Sequence, residues 1–212
     1  MKKNIAKLYW EALDKNQRKT FIELKKFGKY GILGGGTALA LQFGHRKSFD
    51  FDIFVFKPLS KKFLYKIKQH FKKIELLVDT SDEITFISPQ NIKITFLFYP
   101  FKNLYKPVYT DSISLFQWKD IILDKAHALG RRGEWRDYVD IYFGIQKGFT
   151  LTQIIKNARK KFGDLFSERL FLNQLCYFGD ITDFTVEYLT KEKPTKKEIQ
   201  KFFEEQIKNL KI

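Results

Sequence analysis

The spacing of apolar positions divides the chain into a helical start, a strand-rich middle and a helical remainder. Ile5, Leu8, Ala12 and Leu13, then Phe21, Leu24 and Phe27, recur near the 3.6-residue period of a helix with one buried face. Residues 4–29 are therefore expected to be helical, broken around Lys15–Gln17 and closed by Gly28 and Gly31. From Tyr30 the period shortens. Tyr30–Leu33 reads as a short strand entering three glycines, and Thr37–Phe43 as a short helix ended by Gly44. Phe49–Phe56 reads as a strand, with Phe49, Phe51, Ile53 and Val55 on a core face and Asp50, Asp52, Phe54 and Phe56 on the other. Pro58 breaks it, and Ser60 is a plausible N-cap for a helix running to Phe71. Ile74–Asp79, Glu83–Ser88 and Ile92–Tyr99 complete a mixed or antiparallel sheet of about five strands flanked by helices.

After a loop over residues 100–110, Ser114–Leu129 and Glu134–Ile145 carry helical patterns separated by the basic turn Gly130–Arg131–Arg132–Gly133. On the second of these, Arg136 and Asp140 stand at i, i+4 and can pair with each other. Residues 150–212 read as wholly helical. Thr150 or Thr152 starts one helix, Ser167–Tyr177 forms another, and Lys196–Leu210 closes the chain with Ile199, Phe202, Phe203, Ile207 and Leu210 as its apolar stripe. The class this predicts is α+β with a helical C-terminal region.

Composition narrows the picture. The chain has 212 residues, 44% hydrophobic and 30% charged, which fits a globular protein rather than a disordered one. Formal net charge is +15. Residues 1–149 hold 27 Lys and Arg against 15 Asp and Glu, and residues 150–212 hold 12 against 9, so the excess accompanies the strand-rich part. Such a field attracts nucleotides, RNA or DNA; a lysine-rich composition that only aids solubility fits the same count. The lysines of the 60–71 helix admit both readings, as a nucleic-acid face or a solvated one. The one cysteine, Cys176, excludes an internal disulfide framework and a cysteine zinc site, and reads as a buried thiol. The basic start has no continuous apolar segment of a signal peptide, and no run reaches a membrane span. A cytoplasmic location is the expectation.

Residues 34–54, GGGTALALQFGHRKSFDFDIF, carry the candidate chemistry. In a strand, Asp50 and Asp52 point to one face, where two carboxylates repel unless a cation compensates them. Hard oxygen ligands so spaced suit Mg²⁺. Gly35–Gly36–Thr37 would open a helix whose N-terminus can receive a phosphate, with Thr37 either capping the helix or donating its hydroxyl to that phosphate. The glycines alone also fit an ordinary strand-to-helix turn, and the aspartates alone also fit a solvated strand face. Phe54 and Phe56 on that face argue against solvation.

GGTALALQFGHRKSFDFDIF resembles the first motif of the nucleotidyltransferase superfamily, a glycine pair, a helix and then Asp-x-Asp on a strand. The GHR-x-S link is more specific and resembles the AbiEii/AbiGii toxin family of abortive-infection and toxin–antitoxin systems. DIILDKAHALGRRGEWRDYVDIYF is similar to that family's second block, and KITFLFYPF and KKFGDLFSERLFLNQLCYFGD share its character, so the resemblance spans about residues 30–205. It implies a polymerase beta-like nucleotidyltransferase core over residues 1–110 and a helical domain over 111–212 completing the active-site cleft. It implies Asp50 and Asp52 as ligands of catalytic Mg²⁺, and Gly35, Gly36 and Thr37 as triphosphate holders. Lys125 would contact the nucleotide phosphates, Arg136 and Asp137 match the family's RD pair, and His45 and Arg46 match its GHR positions.

The superfamily commonly places a third carboxylate on a later strand; the corresponding position here is Thr95, so Asp137 becomes the candidate general base. The implied reaction is transfer of NMP from an NTP to an RNA, a tRNA 3′ end first among acceptors, blocking translation, with an antitoxin encoded alongside as partner. Transfer to a protein hydroxyl of the partner or of the enzyme itself keeps the same chemistry. A nucleotide- or RNA-binding module without catalysis is the third reading, supported only by Thr95.

Overall fold

The computed structural model describes residues 7–210; Ile5 and the start of the expected first helix lie outside them. The chain divides into two compact units, residues 1–100 with 106–117, and residues 101–105 with 118–212.

The first unit holds a five-stranded mixed sheet. Its strands are β1 (Gly31–Leu33), β2 (Phe51–Val55), β3 (Glu75–Asp79), β4 (Glu83–Ile87) and β5 (Lys93–Phe98), in the order β1-β2-β5-β4-β3. The β2–β5 pair is parallel and the others antiparallel. Three helices accompany the sheet: α1 (Lys15–Glu23), α2 (Gly35–Phe43) and α3 (Lys61–Phe71). One sheet face is closed by aromatic packing. Phe63 meets Phe96 edge-on at 5.0 Å, Phe71 lies 5.3 Å from Phe86, and Phe27 lies 5.3 Å from Phe96. The helical spacing of Phe63, Leu64, Ile67 and Phe71 on α3 supplies that side, and all four are buried.

Several sequence expectations are corrected, each for a local reason. The break expected around Lys15–Gln17 comes earlier: those residues open α1, and the interruption lies at Leu13 and Asp14, after a 3₁₀ turn over Trp10–Ala12. Asp14 caps α1 in a reciprocal box, Gln17 N donating to Asp14 Oδ1 and Asp14 N to Gln17 Oε1, both at 2.8 Å. The strand expected over Phe49–Phe56 is shorter. Pairing with β5 begins at Phe51, Asp50 precedes it, and Phe49 is 46% exposed instead of core. The helix expected from Ser114 begins at Trp118. The backbone before it is taken by β1 and by Val108: Leu33 N donates to Ser114 O, Phe116 N to Leu33 O, and Leu115 and Val108 exchange both bonds.

The second unit contains α4 (Trp118–Leu129), α5 (Trp135–Gln146), α6 (Leu151–Phe162), α7 (Glu168–Cys176) and α8 (Lys196–Lys208). Thr150 and Thr195 start α6 and α8 with capping boxes, and Ser167 caps α7. The region is not wholly helical: between α7 and α8 the chain is irregular. Where α7 ends, the Tyr138 hydroxyl lies 2.9 and 2.8 Å from the carbonyls of Gln174 and Tyr177 and donates its one proton between them. Burial pushes the Tyr138 phenol up to about 12. Cys176 is half-buried, with burial raising its thiol pKa. Gly144 lets α5 approach α4 closely, since a Cβ there would stand 2.8 Å from Ile122.

Lys161 is the electrostatic pin of this unit. Its side chain is fully buried, and its ammonium lies 2.9 Å from Asp120 and 2.8 Å from Asp124 on α4. Asp120 also accepts the backbone N–H groups of Leu104 and Tyr105. Removing one partner of a buried ion pair leaves uncompensated charge. Lys161→Met should therefore lower stability by roughly 3–5 kcal/mol in urea unfolding; a loss below about 1 kcal/mol, the range of a surface pair, would show that the acids reach water.

Candidate active site

The site in the first unit is assembled where β1 turns into α2 beside the start of β2. Antiparallel pairing sets Leu33 opposite Ile53, and the next residue, Gly34, donates its N–H to the Asp52 carbonyl at 2.9 Å. Gly34, not Thr37, is the N-cap of α2. The first-turn N–H groups of α2 have no intrahelical acceptor and form the positive end of its dipole.

Two glycines make room for charged groups at that end. Gly35 has φ +62, a left-handed conformation that disfavours a side chain. A Cβ there would collide with Asp52 Oδ2, so the carboxylate lies directly on the turn. At Gly36 a Cβ would stand 2.7 Å from Arg46 Nη2 and 3.3 Å from Ser48 Oγ. Arg46 is 2% exposed, and its Nη1 donates to the Lys47 carbonyl at 2.9 Å. The guanidinium is thus packed under the turn. His45 is also buried, edge-on to Phe43.

Thr37 is buried, and its hydroxyl donates to the carbonyl oxygen of Asp50, which can only accept. It is also hydrogen-bonded to the Ser48 hydroxyl at 2.8 Å. Ser48 is held in turn by Gln17 Nε2 on its carbonyl and by Ala12 O on its N–H. This chain fixes the backbone that carries Asp50. Ser48 is the serine of the GHR-x-S link, to which motif reading gave no role, and Gln17, from α1, is the member that motif reading missed.

Across the parallel β2–β5 pair, the register partner of Asp52 is Thr95, and the partner of Thr95 on β4 is Thr85. Thr85 Oγ1 lies 2.6 Å from Glu83 Oε1 and 3.1 Å from Thr95 Oγ1. A carboxylate is therefore linked to the Thr95 row through Thr85. The alternation of Glu83 and Thr85 along β4 was its visible trace.

The remaining sequence-predicted residues belong to the second unit. Lys125 on α4 is buried and ion-paired with two acids of α5, 2.5 Å from Asp137 Oδ1 and 2.8 Å from Asp140 Oδ2. Asp140 thus pairs with Lys125 rather than depending on the i, i+4 partner Arg136, which is exposed. Asp137 Oδ2 is buried with no hydrogen-bond partner among the described residues. The structure thus brings together Gly35, Gly36, Thr37, Arg46, Asp50 and Asp52 in one unit, and Lys125, Arg136 and Asp137 in the other.

Among the described residues no three His, Cys, Asp or Glu side chains cluster as a closed metal cage. The Asp52 carboxylate on the glycine turn, with Asp50 two residues before it in the chain, fits the other arrangement, in which Mg²⁺ takes one or two carboxylates and fills its remaining positions with phosphate oxygens and water. The Gly35 contact gives a direct check. Gly35→Ala should cost about 1–2 kcal/mol for left-handed backbone plus a clash with Asp52. In an Asp52→Ala background the clash contribution should vanish, leaving the backbone cost in urea unfolding. Equal costs in both backgrounds would show that the carboxylate does not rest on the turn.

Comparison with known proteins identifies relatives of the whole chain. The family model for the nucleotidyl transferase AbiEii toxin of type IV toxin–antitoxin systems matches residues 22–211. The uncharacterized protein aq_aa25 of Aquifex aeolicus (strain VF5) is 31% identical over 207 residues, covering 92% of this chain and 96% of its own. Among solved structures, the fold is similar to MenT4, a nucleotidyltransferase toxin from Mycobacterium tuberculosis H37Rv, with a TM-score of 0.58, 12% identity, and coverage of 92% of this chain and 82% of that one. A Helicobacter pylori crystal structure gives a TM-score of 0.56 at 16% identity, covering 92% and 96%. With the family match running over nearly its whole length, the chain belongs to the nucleotidyl transferase AbiEii toxin family of type IV toxin–antitoxin systems.

Proposed function

We propose that this nucleotidyltransferase moves NMP from an NTP to the 3′ hydroxyl of an RNA, a tRNA end being the favoured acceptor, and that this transfer blocks translation. The observation that carries the reading is the Asp52 carboxylate seated on Gly35 at the N-terminus of α2. A triphosphate bound to that turn meets the backbone N–H groups and the Asp52 carboxylate at once.

In this reading Asp50 and Asp52 hold Mg²⁺, which supplies charge neutralisation for in-line transfer when bound. The glycine turn receives the phosphates, and Thr37 and Arg46 brace it from below, through the Asp50 carbonyl and Gly36. Lys125 contacts the nucleotide phosphates, with Asp137 and Asp140 holding its ammonium in place. Arg136, exposed on α5, adds positive charge. Asp137 is the candidate base, because one of its carboxylate oxygens carries Lys125 and the other has no partner among the described residues. The net charge of +15 supports a polyanionic acceptor. The family implies a cognate antitoxin, and no helix among the described residues is long and apolar enough to cross a membrane.

Incubating the protein with Mg²⁺, a tRNA transcript and each α-³²P-labelled NTP should label the RNA. Asp50→Ala and Asp52→Ala should each lower the rate by roughly 10²–10³-fold, as for loss of one group that stabilises transition-state charge. Label on protein instead of RNA would identify a side-chain hydroxyl as acceptor. Wild-type rates in either variant would remove these carboxylates from the reaction.

A further inference from the structure

A second feature of the first unit lies at the other end of β2 from Asp50. A cavity of about 470 Å³ opens there, lined from three separate parts of the chain. Lys29 and Tyr30 come from the residues before β1, Phe56 to Ser60 from the loop after β2, and Lys62 and Lys66 from α3. Lys57 adds a fourth ammonium, and among the described residues no carboxylate lines the cavity. This differs from the groove beside α8, where Lys193 and Lys201 share the walls with Glu192, Glu198 and Glu205. The lysines of α3 are also not uniform. Lys61 is paired with Asp79 at 2.5 Å, whereas Lys62 and Lys66 border the cavity.

The positive charge is concentrated on one aromatic ring. Lys66 Nζ lies 2.8 Å from the Tyr30 hydroxyl, and Lys29 and Lys66 stand 5.1 and 5.0 Å from the ring centroid. The hydrogen bond from Lys66, followed by that of Lys29 and the charge of both, lowers the Tyr30 pKa. Ser60 caps α3 at the cavity wall, so the positive end of that helix adds to the field. Phe56, 48% exposed, stands at the same wall as a stacking surface. Like charges gathered from three chain segments repel one another unless an anion occupies the space between them.

We propose that this cavity holds the sugar–phosphate backbone of the RNA acceptor, upstream of its reacting 3′ end; the inference rests on the reading of the acceptor as RNA. Phe56, exposed on the cavity wall, is four residues beyond Asp52 and keeps its parity in the strand alternation, a distance of roughly 13 Å along extended chain. One RNA strand can therefore reach both. The lysines act as phosphate contacts that position the RNA without reading its sequence, and Phe56 offers a face to one unstacked base.

The test is tRNA binding and NMP transfer by the Lys29→Ala, Lys62→Ala, Lys66→Ala triple variant across a series of NaCl concentrations. A matched control replaces Lys191, Lys197 and Lys208 with alanine. The slope of log K against log salt should become shallower by about 2–3 in the cavity variant, since each phosphate that a lysine neutralises adds roughly 0.7–0.9 to that slope. KM for tRNA should rise at least tenfold, with kcat at saturating tRNA and NTP affinity unchanged. Lys→Arg replacements at the three positions should restore binding. An unchanged slope, or an equal weakening in the control, would overturn the proposal, as would loss of NTP binding in place of tRNA binding. If the wild type bound tRNA through these lysines but transferred nothing to it, the acceptor reading would fail and the docking site would stand.

Discussion

The candidate site depends on one close approach, the Asp52 carboxylate against the backbone of Gly35. It exists because β1 and β2 pair antiparallel, which brings Gly34 to the Asp52 carbonyl and leaves the next residue to turn with positive φ. A side chain at Gly35 would be strained in the left-handed region and would occupy the carboxylate's own position. The helix that follows starts with its free N–H groups beside that acid. Backbone pairing, glycine, helix dipole and carboxylate thus form a single arrangement. The Thr37–Ser48–Gln17 chain then secures the Asp50 backbone by side-chain contacts from α1 and α2.

The second unit handles buried charge differently. Lys125 and Lys161 each sit with two acids, drawn from α5 and α4 respectively. Ion pairs in such places add little net stability over apolar packing but hold their members in fixed geometry. For Lys161, with Asp120 also bound to the backbone of residues 104 and 105, that geometry is architectural. For Lys125 the arrangement leaves Asp137 Oδ2 buried and without a partner among the described residues, which is the kind of atom a reacting proton or a bound group can use.

Periodicity made most of the fold legible. The α3 stripe, the β-branched and aromatic strands, and the Ser60 and Thr150 caps all stand where local physics places them. What stayed hidden was decided by partners distant in the chain. Ser114–Gln117 has a helical pattern, but its backbone is claimed by Leu33 and Val108. Asp50 has strand neighbours, but the Thr37 hydroxyl takes its carbonyl and β5 pairing starts one residue later. Asp140 has a local arginine at the right spacing, yet the buried ammonium of Lys125 reaches it from another helix. Nothing in the spacing of Lys161 reveals Asp120 and Asp124 beside it. The Asp-x-Asp spacing itself was legible; the seat that Gly35 provides for Asp52 required the sheet pairing.

The most direct measurement is Mn²⁺ binding, followed by electron paramagnetic resonance, with a non-hydrolysable NTP analogue and the intact chain. Wild-type protein should bind the ion tightly only when the analogue is present, and Asp52→Asn should abolish that mutual dependence while keeping the fold by circular dichroism. Tight, analogue-dependent Mn²⁺ binding that survives unchanged in Asp52→Asn would contradict the assignment of this turn as the metal–nucleotide site.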